Sequence, residues 1–271
     1  MRFDILTIFP NFFTGPLDHG ILSRAIAMQV VQVATHDLRA FTQDRHRTVD
    51  DRPFGGGEGM VLKAQPIFEC VEALGGIEAK ADRDRSRQSV ILLSAQGKRF
   101  TQATAHRLAT LERVVLICGR YEGVDERVSN LLADEELSIG DYVLSGGELA
   151  AAVMLDATVR LLPGVLGHAD SSRYESFGVG DDPADSMTAD GVPRSTHGAG
   201  GLLDYPHYTR PAEFRGVAIP DVLGGGDHAA IRRWRRQMAL EKTLRNRPDL
   251  LVNAALTNED RKHLASLEPE P

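Results

Sequence analysis

Apolar residues along this chain gather in short unbroken runs separated by turn-forming residues. Ile5, Leu6, Ile8 and Phe9 form one run, stopped by Pro10; residues 30–36 form a second; Val90 to Leu93 and Val114 to Cys118 are two more. Runs without polar alternation fit strands of a parallel sheet covered on both faces. Helical spacing predicts helices over 20–29 and 65–74, and Thr101 is placed to N-cap a helix to about Leu111. Residues 148–162 are apolar all round, which predicts a helix buried in a core or an interface. Three runs end in small, polar, glycine-bearing turns, at 94–97, 119–123 and 138–148. Ligands of open α/β sheets bind at the carboxyl ends of strands, so these turns predict one shared cleft.

Other segments lack period. Residues 44–60 carry dense mixed charge and Gly55, Gly56, Gly57 and Gly59, which predicts a long loop. Arg45, Arg47 and Arg52 beside His46 and Phe54 suggest phosphate and base contacts. A metal site from His46, Asp50 and Asp51 is disfavoured by the interleaved arginines. Residues 78–88 read as a charged connector without fold signal. From 167 to 201 the chain turns rich in Gly, Ser, Asp and Pro, with Asp181, Asp182, Asp185 and Asp190 against Arg194, which predicts a mobile linker. A new unit begins at Leu202. Asp227 can N-cap a helix ended by Pro248, with Ile231, Trp234, Met238 and Leu244 on its apolar face and Arg232, Arg233, Arg235 and Arg236 on the rest. Thr257 and Asp260 resemble a capping box. The basic face is either solvated or a nucleic-acid footprint.

Composition narrows the classes. The chain has 271 residues, 42% hydrophobic and 25% charged, enough to bury a core beside a smaller domain. A net charge of −7 argues against indiscriminate nucleic-acid binding but leaves room for a local basic patch. Two scattered cysteines, Cys70 and Cys118, give neither a disulfide framework nor a metal motif and suit a reducing cytoplasm. Cys118, at the end of a strand, reads as a small buried hydrophobe. No stretch approaches the roughly 20 apolar residues that a membrane helix needs. Arg160 closes the apolar helix; it pairs with Asp156 or has a function, because a guanidinium on such a helix is costly alone.

Five blocks together carry a family resemblance: residues 44–57, 118–123, 138–148, 163–167 and 206–211. On them the chain is similar, nearly end to end, to the bacterial tRNA (guanine-N1)-methyltransferases that act at tRNA position 37, members of the SPOUT superfamily. The resemblance implies an α/β, trefoil-knotted S-adenosylmethionine-binding domain over 1–166. It implies a linker over 167–201 and a small all-helical tRNA-binding domain over 202–271, assembled as a cytoplasmic homodimer that has no membrane association. Cofactor contacts carried over are Leu92, Leu93 and Ser94; Gly119, Arg120, Tyr121 and Gly123; and Ser138, Ile139, Gly140, Asp141, Tyr142, Val143, Leu144, Gly146 and Gly147. Contacts to tRNA are Arg45, His46, Arg52, Gly57, Gly59, Arg232 and Arg233. A linker carboxylate serves as general base, and Arg160 steadies charge on guanine O6. The family pattern is Asp-Ser-Phe, but this chain reads Glu175, Ser176, Phe177, so Glu175 takes the position, with Asp170 an out-of-register rival. Ala95 and Ala150 stand where the family often has proline, and residues 178–200 exceed the usual spacing. The family's dependence on Mg2+ carries over without marked ligands.

Two other readings compete. One keeps the fold as a tRNA-binding module whose base has drifted to Glu. The other is a small-molecule enzyme using the cleft for a nucleotide, disfavoured by the lack of a Gly-x-x-x-x-Gly-Lys-Ser/Thr or strand-linked Gly-x-Gly-x-x-Gly motif.

Overall fold

The apolar runs become the strands of one parallel sheet. The computed structural model describes residues 1–167, 175–178 and 200–267, and it divides into two units, Met1–Leu166 and Gly167–Pro271. In the first, β1 (Arg2–Thr7), β2 (Gln32–Asp37), β5 (Gln88–Arg99), β6 (Arg113–Cys118) and β7 (Glu135–Ser138) lie in the order β2-β1-β6-β5-β7, each pair parallel. A separate two-stranded ribbon pairs β3 (Asp50–Asp51) with β4 (Val61–Leu62). The connection from β6 to β7 passes β5, which leaves the turns after β5, β6 and β7 side by side at the carboxyl end of the sheet.

Both faces of the sheet are covered, as the unbroken apolar runs require. Phe3 and Ile5 of β1, Ile91 and Leu93 of β5, and Val114, Leu116 and Cys118 of β6 face one layer. There they meet Leu22 of α2 (Gly20–Ala27), Leu108 of α4 (Gln102–Ala109), and Met154 and Leu155 of α6 (Glu148–Val159). The alternate residues Leu6, Val90, Leu92, Val115 and Ile117 face the other layer. It holds Ile67, Cys70 and Val71 of α3 (Ala64–Ala73) and Val128 of α5 (Glu126–Leu131). A short α1 (Thr14–Asp18) precedes α2. Thr101 caps α4 where the sequence places it, accepting from the Thr104 amide at 3.3 Å, and Asp125 caps α5 by accepting from the Arg127 amide at 3.0 Å. Helix α6 stops at Val159, short of Leu162, because its last turn tightens to Leu161–Thr158 and Leu162–Val159 bonds of 3.1 Å before Pro163.

The connector over 78–88 has an anchor that periodicity misses. The buried Arg83 guanidinium donates to the carbonyls of Glu78 and Leu132 and to Asp134 at 2.7 Å, and Asp134 also accepts from the Val90 amide at 2.8 Å. One arginine thus pins a charged loop to the rim of β5.

The second unit contains α7 (Asp221–Gly224), α8 (His228–Asn246) and α9 (Asn258–Leu267). It is not all-helical: β8 (Glu213–Phe214) and β9 (Val217–Ala218) form an antiparallel ribbon around a turn in which Arg215 and Gly216 have positive φ. Asp227 caps α8 by accepting from the Ala229 and Ala230 amides at 2.9 and 3.0 Å. Thr257 and Asp260 cap α9 reciprocally, at 2.8 and 3.1 Å. The stripe of α8 that is fully buried is Ala239, Leu240 and Thr243, whereas Ile231, Trp234, Met238 and Leu244 are only half-buried. At Thr243 the approach is by backbone: the Leu203 amide donates to Thr243 Oγ1 at 3.0 Å. Residues 168–174 and 179–199, which include Asp170, the acidic insertion and Arg194, lie outside the described residues.

Candidate active site

Three backbone turns meet at the carboxyl end of the sheet. The first interrupts β5. Leu93 and Lys98 both register with Leu137, so residues 94–97 bulge out of the ladder. The second, after β6, turns at Tyr121 (φ 60°) and Gly123 (φ 150°). It is tied to β4 and the loop before it by Leu62–Gly123 and Glu122–Met60 backbone bonds of 3.0 Å. The third, after β7, turns at Gly140 (φ 156°) and returns across the second, where Arg120 and Gly146 pair as an antiparallel bridge.

Two glycines are required by close approach. A Cβ on Gly146 would stand 2.5 Å from Glu148 Oε2 and 2.6 Å from Arg120 Nε, and one on Gly147 would stand 2.8 Å from Cys118 Cα.

Between the turns lies a cavity of about 270 Å³. Leu92, Leu93, Ser94, Gly119, Arg120, Tyr121, Gly123, Ser138, Ile139, Gly140, Tyr142, Val143, Leu144, Gly146 and Gly147 all line it. Asp141 does not: its exposed carboxylate pairs with Arg99 at 2.5 Å. The wall also holds Glu122, Glu126, Ser129 and Glu136, which glycine and burial arguments did not single out. Ser129 donates to Glu136 and fixes its carboxylate. The signal for Glu126 was available, since it follows the Asp125 cap and so sits at the mouth of the second turn.

Apolar walls from Leu92, Leu93, Ile139 and Leu144, exposed backbone of the turns, and three carboxylates suit a ligand with a flat apolar part and a cationic centre. S-adenosylmethionine has both.

Behind the cavity Glu148, 2% exposed, opens α6. Thr7 Oγ1 donates to its Oε1 at 2.8 Å, and Arg120 Nη2 lies 3.5 Å from its Oε2. The Arg120 guanidinium rests 4.4 Å from the centroid of the Phe9 ring. Cys118 is wholly buried beside this pair; burial, then the Glu148 charge, push its thiol well above the ordinary range, and burial pushes Cys70 up to about 12. Neither is a nucleophile at neutral pH.

The charged loop over 44–60 is exposed, and Asp44 organises it. The Asp44 carboxylate accepts from Thr48 Oγ1 at 2.7 Å and from the Thr48 and His46 amides at 2.9 and 3.2 Å. These bonds, the Thr48 hydroxyl first, hold its pKa below the usual range. Arg45, His46, Arg52, Gly57 and Gly59 lie on this loop, and Phe54 at its tip is fully exposed. Among the described residues no three His, Cys, Asp or Glu side chains cluster as metal ligands.

Arg160 is the C-cap residue of α6. Glu175, in the second unit, opens a tight turn: the Gly178 amide donates to the Glu175 carbonyl at 3.1 Å, and Phe177 has φ 65°. This turn is fastened to the chain after it. The Phe177 amide donates to the Leu202 carbonyl and the Asp204 amide to Ser176 Oγ, both at 2.9 Å. On α8, Arg235 stacks 4.8 Å over Tyr205 and Arg236 grips Asp260 at 2.9 Å, while the charge of the exposed Arg233 helps hold down the pKa of the Asp227 cap. The expected basic face is therefore narrower than four arginines.

No helix among the described residues is long and apolar enough to cross a membrane.

Comparison with known proteins gives a consistent result. A family model described as tRNA (Guanine-1)-methyltransferase TrmD matches residues 1–253. A protein of Koribacter versatilis named tRNA (guanine-N(1)-)-methyltransferase is 60% identical over 267 residues, covering 98% of each chain. Proteins with the same name from Geobacter sulfurreducens and Heliobacterium modesticaldum are 50% and 49% identical, covering 100% and 98% of this chain and 99% and 90% of their own.

Proposed function

Because the chain belongs to the tRNA (guanine-1)-methyltransferase family of the SPOUT superfamily, we propose that it methylates N1 of the guanosine at position 37 of tRNA. The observation that carries this reading is the meeting of three glycine turns around one cavity with apolar walls and an acidic side. S-adenosylmethionine, when bound there, supplies an electrophilic sulfonium methyl. The backbone of the turns and the walls at Leu92, Ile139 and Leu144 hold its adenosine part, and Glu122, Glu126 and Glu136 favour its positive end.

The chain's own residues handle the guanine. N1 carries a proton at neutral pH, and the Glu175 carboxylate accepts it, general-base work worth roughly 10²–10⁴-fold. As that proton leaves, negative charge spreads to O6, where the Arg160 guanidinium donates hydrogen bonds. The target base is turned out of its loop, the state in which single-stranded RNA is read. Arg45, His46 and Arg52, with the backbone at Gly57 and Gly59, hold the RNA on one unit, and Arg232 and Arg233 hold it on the other. Phe54, exposed and followed by three glycines, is a stacking surface for a neighbouring base.

Two further assignments belong to this reading. The first unit carries the family's trefoil knot; the return of the third turn across the second, through the Gly147–Gly119 bond of 2.9 Å, supports it. The working form is a homodimer. Leu149 and Val153, one turn apart on α6, are exposed on a helix that is apolar all round, as are Phe9 and Phe12 nearby in sequence to β1, and a second copy is the partner that covers them.

The decisive experiment incubates the purified protein with unmodified tRNA and S-adenosylmethionine and analyses the digested nucleosides by mass spectrometry. The expected product is 1-methylguanosine from position 37. The competing reading, a tRNA-binding module inactivated by Glu in place of Asp, expects tRNA retention with no methylated nucleoside.

A further inference from the structure

Arg120 is the one cation among the described residues lining the cavity. Its guanidinium packs on Phe9 and Glu148, which do not line the cavity, yet a positive charge this close is at odds with a ligand whose reactive centre is itself positive. The contacts behind the wall resolve the conflict. Glu148, which does not line the cavity, sets its Oε2 3.5 Å from Arg120 Nη2, and its Oε1 is held by Thr7 at 2.8 Å. Thr7 Oγ1 is fixed in turn by the Phe9 amide at 2.9 Å, and the Phe9 ring lies under the guanidinium at 4.4 Å. Gly146 closes over the pair with no room for a Cβ. Arg120 Nε finds no acceptor among the described residues, so the guanidinium leans on this one carboxylate for its charge balance.

We propose that Glu148 is a charge-balancing and positioning residue, which cancels the Arg120 cation so that the cavity prefers a sulfonium over a neutral thioether. This rests on reading the cavity as the S-adenosylmethionine site. Methyl transfer turns a cationic sulfonium into the uncharged sulfur of S-adenosylhomocysteine, one unit of charge on an otherwise similar molecule. A balanced Arg120 leaves the acidic wall of Glu122, Glu126 and Glu136 to set the sign of the field. An unbalanced Arg120 opposes that field, weakens the donor and leaves the product bound. Glu148 acts on cofactor choice and product release through Arg120, not on the methyl itself.

The test measures both ligands on the full-length protein by calorimetry. Glu148→Gln keeps the size and removes the charge. It is expected to weaken S-adenosylmethionine relative to S-adenosylhomocysteine by about three- to tenfold, the scale of one partly screened charge across a protein site. Arg120→Gln shifts the ratio the opposite way, and the double variant returns it toward the wild-type value. Equal weakening of both ligands in Glu148→Gln means the residue only supports packing and overturns the proposal, while the cavity assignment stands. Should Glu148→Gln fail to fold, an unchanged ratio in Arg120→Gln overturns it equally. Wild-type protein that binds neither ligand sinks the cavity assignment, and this inference with it.

Discussion

The amide of Gly147 donates to the carbonyl of Gly119 across 2.9 Å, joining the turn after β7 to the turn after β6. The approach depends on Gly147 having no side chain. A Cβ on Gly147 would meet Cys118 Cα at 2.8 Å and the Gly119 nitrogen at 3.0 Å, both backbone atoms that cannot swing away. Gly147→Ala is therefore expected to cost about 1–3 kcal/mol of stability through overpacking. It should also weaken S-adenosylmethionine binding by at least about tenfold, the equivalent of ~1.4 kcal/mol, because the two turns forming the cavity wall are pushed apart. Gly15→Ala, with nothing within 4 Å and inside α1, is the control: it is expected to stabilise by about 0.4–1 kcal/mol in urea melts and to leave calorimetry unchanged.

Asp4 gives a pH signature to the first unit. It lies fully buried in β1 and accepts from Arg2 Nη2, Arg113 Nε and His36 Nε2, each at 2.8 Å. Burial raises its pKa, but His36, Arg2 and Arg113 together outweigh burial and hold it well below the carboxylate range. A depressed folded pKa means stability that is present above the unfolded value of about 4 and is lost as pH falls below it. Urea melts of the wild type should weaken steeply from about pH 4 downward. Asp4→Asn should lose about 3 kcal/mol at pH 7, because the mostly buried Arg113 guanidinium loses its anion, and should show a flatter acid limb.

Much of this architecture is legible in the sequence because burial on both faces leaves a plain trace. The runs at Val90 and Val114 could only be central strands, and the glycines at 119, 140, 146 and 147 mark turns that come within contact of one another. What escapes is what depends on a partner distant in the chain. Glu148 at a helix start reads as an acid on a dipole, and nothing local says that Thr7, 141 residues away, holds it. Arg83 reads as one more charge in a charged connector until Asp134 is brought beside it. On α8 the largest apolar residues suggested the packed face, but the fully buried stripe is Ala239, Leu240 and Thr243, with Thr243 taken up by a backbone contact from Leu203. The site residues Glu126, Ser129 and Glu136 sit on α5 and β7 without glycine or apolar period to single them out. Arg235 and Arg236 could not be told from Arg232 and Arg233 by spacing, although the first two make direct contacts, with Tyr205 and Asp260, within the unit.

That division among the arginines of α8 can be measured. Arg236 makes a two-pronged contact with Asp260, at 3.1 and 2.9 Å, and Asp260 is buried and also caps α9. Burial raises the Asp260 pKa, but Arg236 and the Thr257 amide outweigh it and keep it low. Arg236→Ala leaves that carboxylate unpaired and is expected to cost about 3 kcal/mol in thermal or urea melts. Arg233→Ala, on an exposed position, should leave stability within about 0.5 kcal/mol. It should weaken tRNA binding and reduce the slope of log K against log salt by about 0.7–0.9, the release of one counterion. Fluorescence anisotropy over a salt series reads both quantities.

On the proposed reading, Phe54 serves RNA recognition and not cofactor binding. It projects fully exposed from a loop whose base Asp44 fixes and whose far end is bonded through Met60 to Glu122 of the cavity wall. An aromatic ring in that position gains little from water and much from a base. Phe54→Ala is expected to lose about 1–3 kcal/mol of tRNA affinity, the range for one base–aromatic stack. Calorimetry with S-adenosylmethionine alone should read the same dissociation constant as for the wild type. An equal loss for both ligands points instead to a loop that props the cavity.

Glu175 carries the sharpest test, because this chain has a side chain one methylene longer than the aspartate of the family pattern. Its turn is anchored by the Ser176 hydroxyl on the Asp204 amide and by Phe177 on Leu202, so the backbone that presents the carboxylate is fixed by the segment that follows. A general base on such a mount acts on the chemical step and not on ligand capture. Glu175→Ala should therefore reduce single-turnover methylation by about 10²–10⁴-fold with the S-adenosylmethionine and tRNA dissociation constants unchanged. Glu175→Asp should retain most of the rate, and Asp170→Ala should retain all of it. Ser176→Ala, which loosens the mount but keeps the carboxylate, should fall between, with a loss of about tenfold, ~1.4 kcal/mol in the barrier. A full rate in Glu175→Ala together with a collapse in Asp170→Ala would move the base to the rival carboxylate.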